Sequence, residues 1–151
     1  MTDTEPEADS LPAEGADHLD GLVEWIDGLP HLVGTRCSAC GTHAFPQQGA
    51  CPRCGSPVVA LVPLPRSGTV WTWTIQHHAP KPPYRAPVPF EPFALGYIDL
   101  GPLRVESRLE GRACDDWTIG ASVELCVGPM AGPSEDESPW SFWFVPQGGS
   151  R

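Results

Sequence analysis

No stretch of this chain carries the roughly 18–20 consecutive apolar residues that a bilayer-spanning helix requires, so no membrane helix is expected. The N-terminus has neither a positively charged n-region nor an apolar h-region, and no secretory signal is expected. Basic residues are missing from the first thirty positions, where nine acidic ones stand: Asp3, Glu5, Glu7, Asp9, Glu14, Asp17, Asp20, Glu24 and Asp27. Across 31–151 the other ten acidic residues nearly balance the nine basic ones, so of the total charge of −10 only about −1 belongs to the body. Such a body lacks the basic field that non-specific nucleic-acid binding needs. Also absent are a Gly-x-Ser-x-Gly elbow, a Gly-rich phosphate loop and a His-Glu-x-x-His motif. A chain without these is not expected to be an enzyme on its own.

What is present is globular in composition: 40% hydrophobic, with six Trp. The 151 residues suffice for one ordinary domain or two small modules in tandem. Nineteen Pro and sixteen Gly argue for short strands joined by turns rather than long helices. The expected compartment is cytoplasmic, where thiols stay reduced and paired Cys-x-x-Cys motifs read as metal sites before disulfides.

Residues 1–16 are acidic, small and proline-containing, and read as a disordered tail. Over 17–30, Leu19, Leu22, Val23 and Ile26 fall at helical spacing; Asp17 suits an N-cap, and Gly28 with Pro30 a helix end. The spacing predicts a short amphipathic helix there. A cysteine module follows at 31–60, and from 61 to 146 the text is strand-like. In Gly68–His78, Val70, Thr72, Thr74 and Gln76 alternate with Trp71, Trp73, Ile75 and His77, a period of two rich in β-formers. The segment 79–92 is dense in proline and reads as a stiff extended loop. Segments 93–100, 103–111, 121–128 and 141–146 supply four more strands, 112–120 reads as a turn, and 147–151 as a frayed tail. Five short strands after Gly68 suggest a small barrel, although periodicity alone does not separate a barrel from a sandwich.

The strongest local signal is Cys37-Ser-Ala-Cys40-Gly41 followed, ten residues on, by Cys51-Pro-Arg-Cys54-Gly55. Four thiolates make a tetrahedral zinc shell with bonds of about 2.3 Å, and leave no open position for a substrate water. Each Cys-x-x-Cys can wrap as a turn whose N–H groups point at sulfur, and the Gly after it suits positive φ. The intervening HAFPQQGA can supply a hairpin strand. A segment this short cannot fold on its own core, so the metal is expected to be structural. Two matched pairs fit one metal better than two redox dithiols. His43 reads as surface, and Cys114 and Cys126 as free thiols, Cys126 buried on a strand.

A rubredoxin-like zinc ribbon followed by Gly68-Thr-Val-Trp-Thr-Trp-Thr, Phe93-Ala-Leu-Gly-Tyr-Ile-Asp-Leu, Arg104-Val-Glu-Ser-Arg-Leu-Glu-Gly and Ile119-Gly-Ala-Ser-Val-Glu-Leu resembles a specific family. These are the acyl-CoA-associated zinc-ribbon/OB-fold proteins, long known only as a domain of unknown function. The resemblance covers about residues 20–146, with Cys37, Cys40, Cys51 and Cys54 at the metal positions and the 17–28 segment as a leading helix. It implies a mostly β fold: short helix, ribbon, then a small OB-fold barrel. It also implies assembly with a thiolase-fold enzyme acting on acyl-CoA thioesters, thiolase or aldolase-like, in steroid or aromatic degradation. The partner would carry the catalytic Cys, His or Tyr. The proline-dense loop 79–92 and the acidic insertion Glu135-Asp136-Glu137 within 129–139 depart from the family's pattern.

Under that resemblance the candidate ligand contacts lie around the long loop. His77 stands where a strand meets the loop, and Lys81 and Arg85 offer a local cationic patch to the phosphates of one CoA. Tyr84, Phe90 and Phe93 offer apolar contact to an acyl or pantetheine arm. His78, Asp99, Glu106 and the turn residues Asp115-Asp116 read as structural or surface. The alternative is an OB-fold that binds single-stranded nucleic acid through Trp71, Trp73, Tyr84 and Phe90. Against it, Arg104, Arg108 and Arg112 are interleaved with Glu106 and Glu110. The expected partners are therefore a thiolase-fold subunit and acyl-CoA, not nucleic acid or membrane.

Overall fold

The computed structural model describes residues 19, 21–82, 86–130 and 140–148. The 1–16 tail, Tyr84, Arg85 and the acidic insertion at 135–137 lie outside the described residues.

The first surprise is local. Val23–Ile26 is not helical but a strand, β1, paired antiparallel with β2 (Leu29–Cys37) in the register Val23↔Leu32 to Ile26↔Leu29. The turn between them is Asp27-Gly28, with φ of 53° and 81°. Positive φ at both central residues is the type I′ hairpin geometry, whose twist matches that of the strands it joins. The helix expected over 17–30 is thus corrected to a β-hairpin, as far as these residues are described. Gly28 serves as the second turn residue rather than a helix stop. Leu19 precedes the hairpin, buried at 4% exposure, and its carbonyl accepts from the Leu22 N–H at 2.8 Å.

β2 is the spine of the ribbon. It pairs with the two-residue β3 (His43–Ala44) through Thr35↔Ala44 and Arg36↔His43, and with β4 (Val59–Pro63) through Val33↔Pro63 to Cys37↔Val59. The hairpin strand expected from HAFPQQGA is β3. The ribbon sheet runs on through Pro63 because β4 pairs with β2 rather than with a barrel strand.

Five strands then close a barrel in the order β5-β6-β7-β9-β8: β5 (Ser67–Gln76), β6 (Phe93–Asp99), β7 (Arg104–Leu109), β8 (Ser122–Pro129) and β9 (Trp140–Pro146). Antiparallel β5–β8 pairing at Ser67↔Glu124 closes it, and β7 meets β9 in parallel at Leu109↔Phe144. A five-stranded Greek-key barrel of this order is the OB-fold, which removes the sandwich alternative.

Alternation along the strands builds the core. Val70, Ala94, Ile98, Val105, Leu109, Val123, Leu125, Val127 and Phe144 point inward and are almost wholly buried. Each fully buried large aliphatic or aromatic side chain contributes roughly 1.5–3 kcal/mol. Leu32 and Leu64, from the ribbon's base and the linker, belong to the same cluster, so ribbon and barrel share one core. Gly96 is required where β5 and β6 come close, since a Cβ there would sit 2.9 Å from both the Thr72 carbonyl and Leu109.

Candidate functional site

The end of β2 delivers Cys37, and the turn after it delivers Cys40; 51–54 forms a second turn of the same kind. In the first, the N–H groups of Ala39 and Cys40 donate to Cys37 Sγ at 3.3 and 3.4 Å. In the second, those of Arg53 and Cys54 donate to Cys51 Sγ at 3.3 and 3.4 Å. Gly41 and Gly55 close the turns through N–H bonds to the Cys37 and Cys51 carbonyls at 2.9 and 3.0 Å, with φ of 79° and 80°. The two knuckles are thus near copies, as their matched sequences imply.

All four sulfurs lie within 4.8 Å of one another, and Cys37–Cys54 and Cys40–Cys51 are each 3.6 Å apart. A tetrahedron with metal–sulfur bonds of about 2.3 Å has edges of about 3.8 Å, so this donor set fits zinc. Cys37 and Cys51 are buried while Cys40 and Cys54 are exposed, so the centre sits at the surface of the ribbon. The Cys40 N–H holds Cys37 below its ordinary value. The Thr42 side chain and N–H pull Cys40 down to about 6. At Cys54 the Ser56 N–H acts downward, but the neighbouring thiols and burial outweigh it and push the group up to about 11. A divalent cation at the centre removes this conflict by taking all four as thiolates. Four protein donors complete its shell, so the metal is structural. His43, half-buried in β3, is not part of this cluster.

The barrel presents a second region. Register Ala94↔Leu109 sets the start of β6 beside the end of β7. There a cavity of about 300 Å³ is bounded by the loop residues Phe90 and Glu91, by Phe93, and across the strand pair by Arg108, Arg112 and Cys114. Phe90 and Phe93 meet edge to face at 6.0 Å. The Arg108 guanidinium lies 3.8 Å over the Phe93 ring and donates from Nε to Glu110 Oε2 at 2.8 Å. Of the expected ligand contacts, Phe90 and Phe93 are brought together here. His77 and Lys81 stand exposed beyond the end of β5, outside this cavity. Arg108, Arg112 and Cys114 were not singled out as contacts, since only cross-strand register brings them to the loop. The sequence signal that could have found them is the outward alternation of Arg108 with buried Leu109.

Farther along the same outer face, Trp71 is the extra residue at a bulge between Val70 and Thr72. A bulge re-aims a side chain. Here it sets Trp71 beside Tyr97 at 6.4 Å, with the Arg104 guanidinium 4.1 Å from the indole. Trp71 is 48% and Tyr97 44% exposed.

Known proteins share both halves. Residues 28–60 match the family described as the ChsH2 rubredoxin-like zinc ribbon domain, and residues 61–128 the ChsH2 C-terminal OB-fold domain. The chain is 37% identical over 122 residues to the benzoylsuccinyl-CoA thiolase subunit BbsA of Thauera aromatica, covering 75% of each. It is 35% identical over 107 residues to BbsA of Geobacter metallireducens, covering 68% of this chain and 66% of that one. Among solved structures, a chain of the Ltp2-ChsH2(DUF35) aldolase aligns with a TM-score of 0.56 at 28% identity, over 77% of this chain and 84% of that one. With ribbon, barrel and relatives in agreement, the chain belongs to the ChsH2 zinc-ribbon/OB-fold family of the DUF35 type.

Proposed function

We propose that this chain is a non-catalytic accessory subunit that assembles with a thiolase-fold enzyme and helps shape or bind its acyl-CoA thioester substrate. The observation that carries the reading is a match, through three quarters of the chain, to a protein named as a thiolase subunit. The solved relative, named as an aldolase together with ChsH2, supports a partner role from a second direction. The setting of such a partner would be steroid or aromatic degradation.

In this reading the loop 79–92 borders the thioester channel. Lys81 and Arg85 meet CoA phosphates, His77 stands at the loop's start, and Tyr84, Phe90 and Phe93 contact the acyl or pantetheine arm. The test is steady-state kinetics of the complex with Tyr84→Ala and Phe90→Ala combined. A raised KM for the thioester with the complex intact supports the loop's role; unchanged kinetics removes it.

One observation favours single-stranded nucleic acid as the ligand: exposed Trp71 and Tyr97 lie on an outer barrel face of a fold that binds oligonucleotides on its strands. Asp99 stands 3.9 Å from Arg104 and Glu106 lies opposite Tyr97, so the face carries acid where phosphates would pass. Fluorescence anisotropy with a labelled oligonucleotide at low salt decides it, and no binding is expected.

A further inference from the structure

Phe90 and Phe93, set against an acyl or pantetheine arm in the proposed function, line a cavity between β6, β7 and the loop whose charged groups that reading leaves unassigned. Its inner wall is apolar and buried: Phe93, Ala94 and Leu109, with Phe90 half-buried beside them. Its charged lining comprises the exposed Glu91 and Arg112 and the half-buried Arg108 and Glu110. The two arginines are not equivalent. Arg108 is clamped by Glu110 at 2.6 Å and stacked on Phe93, so its charge is matched in place. Arg112 has no carboxylate within ion-pair distance among the described residues. Its guanidinium rests 4.8 Å from the Trp117 ring, and its one hydrogen bond there, to the Asp116 carbonyl, is 3.4 Å long. Cys114, half-buried, opens onto the same space.

We propose that this cavity is a binding site for an apolar arm that ends in an anion, with the arm against Phe90, Phe93 and Leu109 and the anion at Arg112. A volume of about 300 Å³ is at the lower limit of small-ligand pockets and suits a fragment rather than a whole cofactor. Two sources share that chemistry: an aryl or alkyl carboxylate of an acyl group, and the phosphorylated end of a pantetheine arm. The inference deepens the acyl-CoA reading only in naming these sources; the cavity itself belongs to this chain alone.

Cys114 supplies the assay. In the zinc-loaded chain four cysteines hold metal and Cys126 is buried, so N-ethylmaleimide at neutral pH should label Cys114, and Cys114→Ala should abolish the label. Labelling is followed by mass spectrometry against increasing phenylacetate in one arm and 4′-phosphopantetheine in the other. Protection by either ligand is expected, and the arm that protects identifies the source. Replacing an exposed charge that meets an anion should change the half-protecting concentration by about threefold to tenfold. Arg112→Gln should raise it and Glu91→Gln should lower it, with zinc content unchanged. Absence of protection in both arms, up to millimolar ligand, overturns the site; so does protection that Arg112→Gln leaves intact. Protection that weakens in Glu91→Gln would show that the rim takes a cation instead. Because the isolated chain is used, failure here leaves the accessory-subunit reading standing, and absence of a thiolase partner leaves this site standing.

Discussion

Arg66 reaches from the linker to donate through Nη1 to the Pro30 carbonyl of β2 at 2.6 Å. Its Nη2 lies 3.4 Å from the Leu125 carbonyl of β8, and its own carbonyl accepts from the Leu125 N–H at 2.7 Å. One half-buried side chain thus ties the ribbon's spine to a barrel strand, beside the shared contact of Leu32 and Leu64. Hydrogen bonds from a charged donor contribute about 1.5–3 kcal/mol each when well formed, and only the first of these is short. Arg66→Ala should therefore lower stability by about 1.5–3 kcal/mol in denaturant unfolding. Arg66→Lys should recover little, because an ammonium cannot address both carbonyls from one planar fork. A loss under about 0.5 kcal/mol, the ordinary range for surface substitutions, would mean that the shared core alone joins the two parts.

Removal of metal should act on the ribbon first. Cys51→Ser should abolish stoichiometric zinc, measured by elemental analysis, and with it partner binding, since the segment has too little core to hold the knuckles closed. The barrel's near-ultraviolet circular dichroism should be retained in large part. A Cys51→Ser chain that stayed zinc-loaded at one per chain would contradict the four-thiolate site.

Gly68, the second residue of β5, lies where the chain crosses close to Asp99. A Cβ there would collide with the Asp99 carbonyl oxygen and press on Leu100 at 3.0 Å, whereas one at Gly49 would meet open space. Gly68→Ala should cost about 1–3 kcal/mol as an overpacked contact. Gly49→Ala is the neutral control in the same thermal melt.

The turn at Asp27-Gly28 offers a test of the hairpin. At φ of 81° an L residue is strained, so Gly28→Ala should destabilise the chain by about 1–2 kcal/mol although no atom lies near its Cβ. A change within about 0.5 kcal/mol, the ordinary range for surface substitutions, would contradict the positive-φ turn.

That turn also marks where the sequence misleads. Leu19, Leu22, Val23 and Ile26 satisfy a helical spacing, but over so short a window the alternative is a pair of short strands, and Asp-Gly between apolar residues is a hairpin signal. Gly28 followed by Pro30 resembles a helix stop, yet Pro30 sits in β2 opposite Trp25. The remaining strands were legible because each is a short run of β-formers bounded by turn residues, with a period of two explicit in β5; β5, β6, β7, β8 and β9 fall within two residues of the expected segments. The zinc set was legible because knuckle geometry is local in sequence. The cavity was not, because Phe93 and Arg108 meet through cross-strand register, and nothing near Arg108 in sequence announces an aromatic partner. His77 and Lys81 were linked to the loop by proximity along the chain, which does not place them in the cavity.

The subunit reading is tested most directly by affinity purification of the zinc-loaded full-length chain from native lysate, with mass-spectrometric identification and native-mass stoichiometry of what accompanies it. A thiolase-fold protein at close to one copy per chain is the expected result, and acyl-CoA turnover should then reside in the complex and not in this chain alone. A chain recovered without any thiolase-fold protein, and active or inert regardless of one supplied in trans, would contradict it.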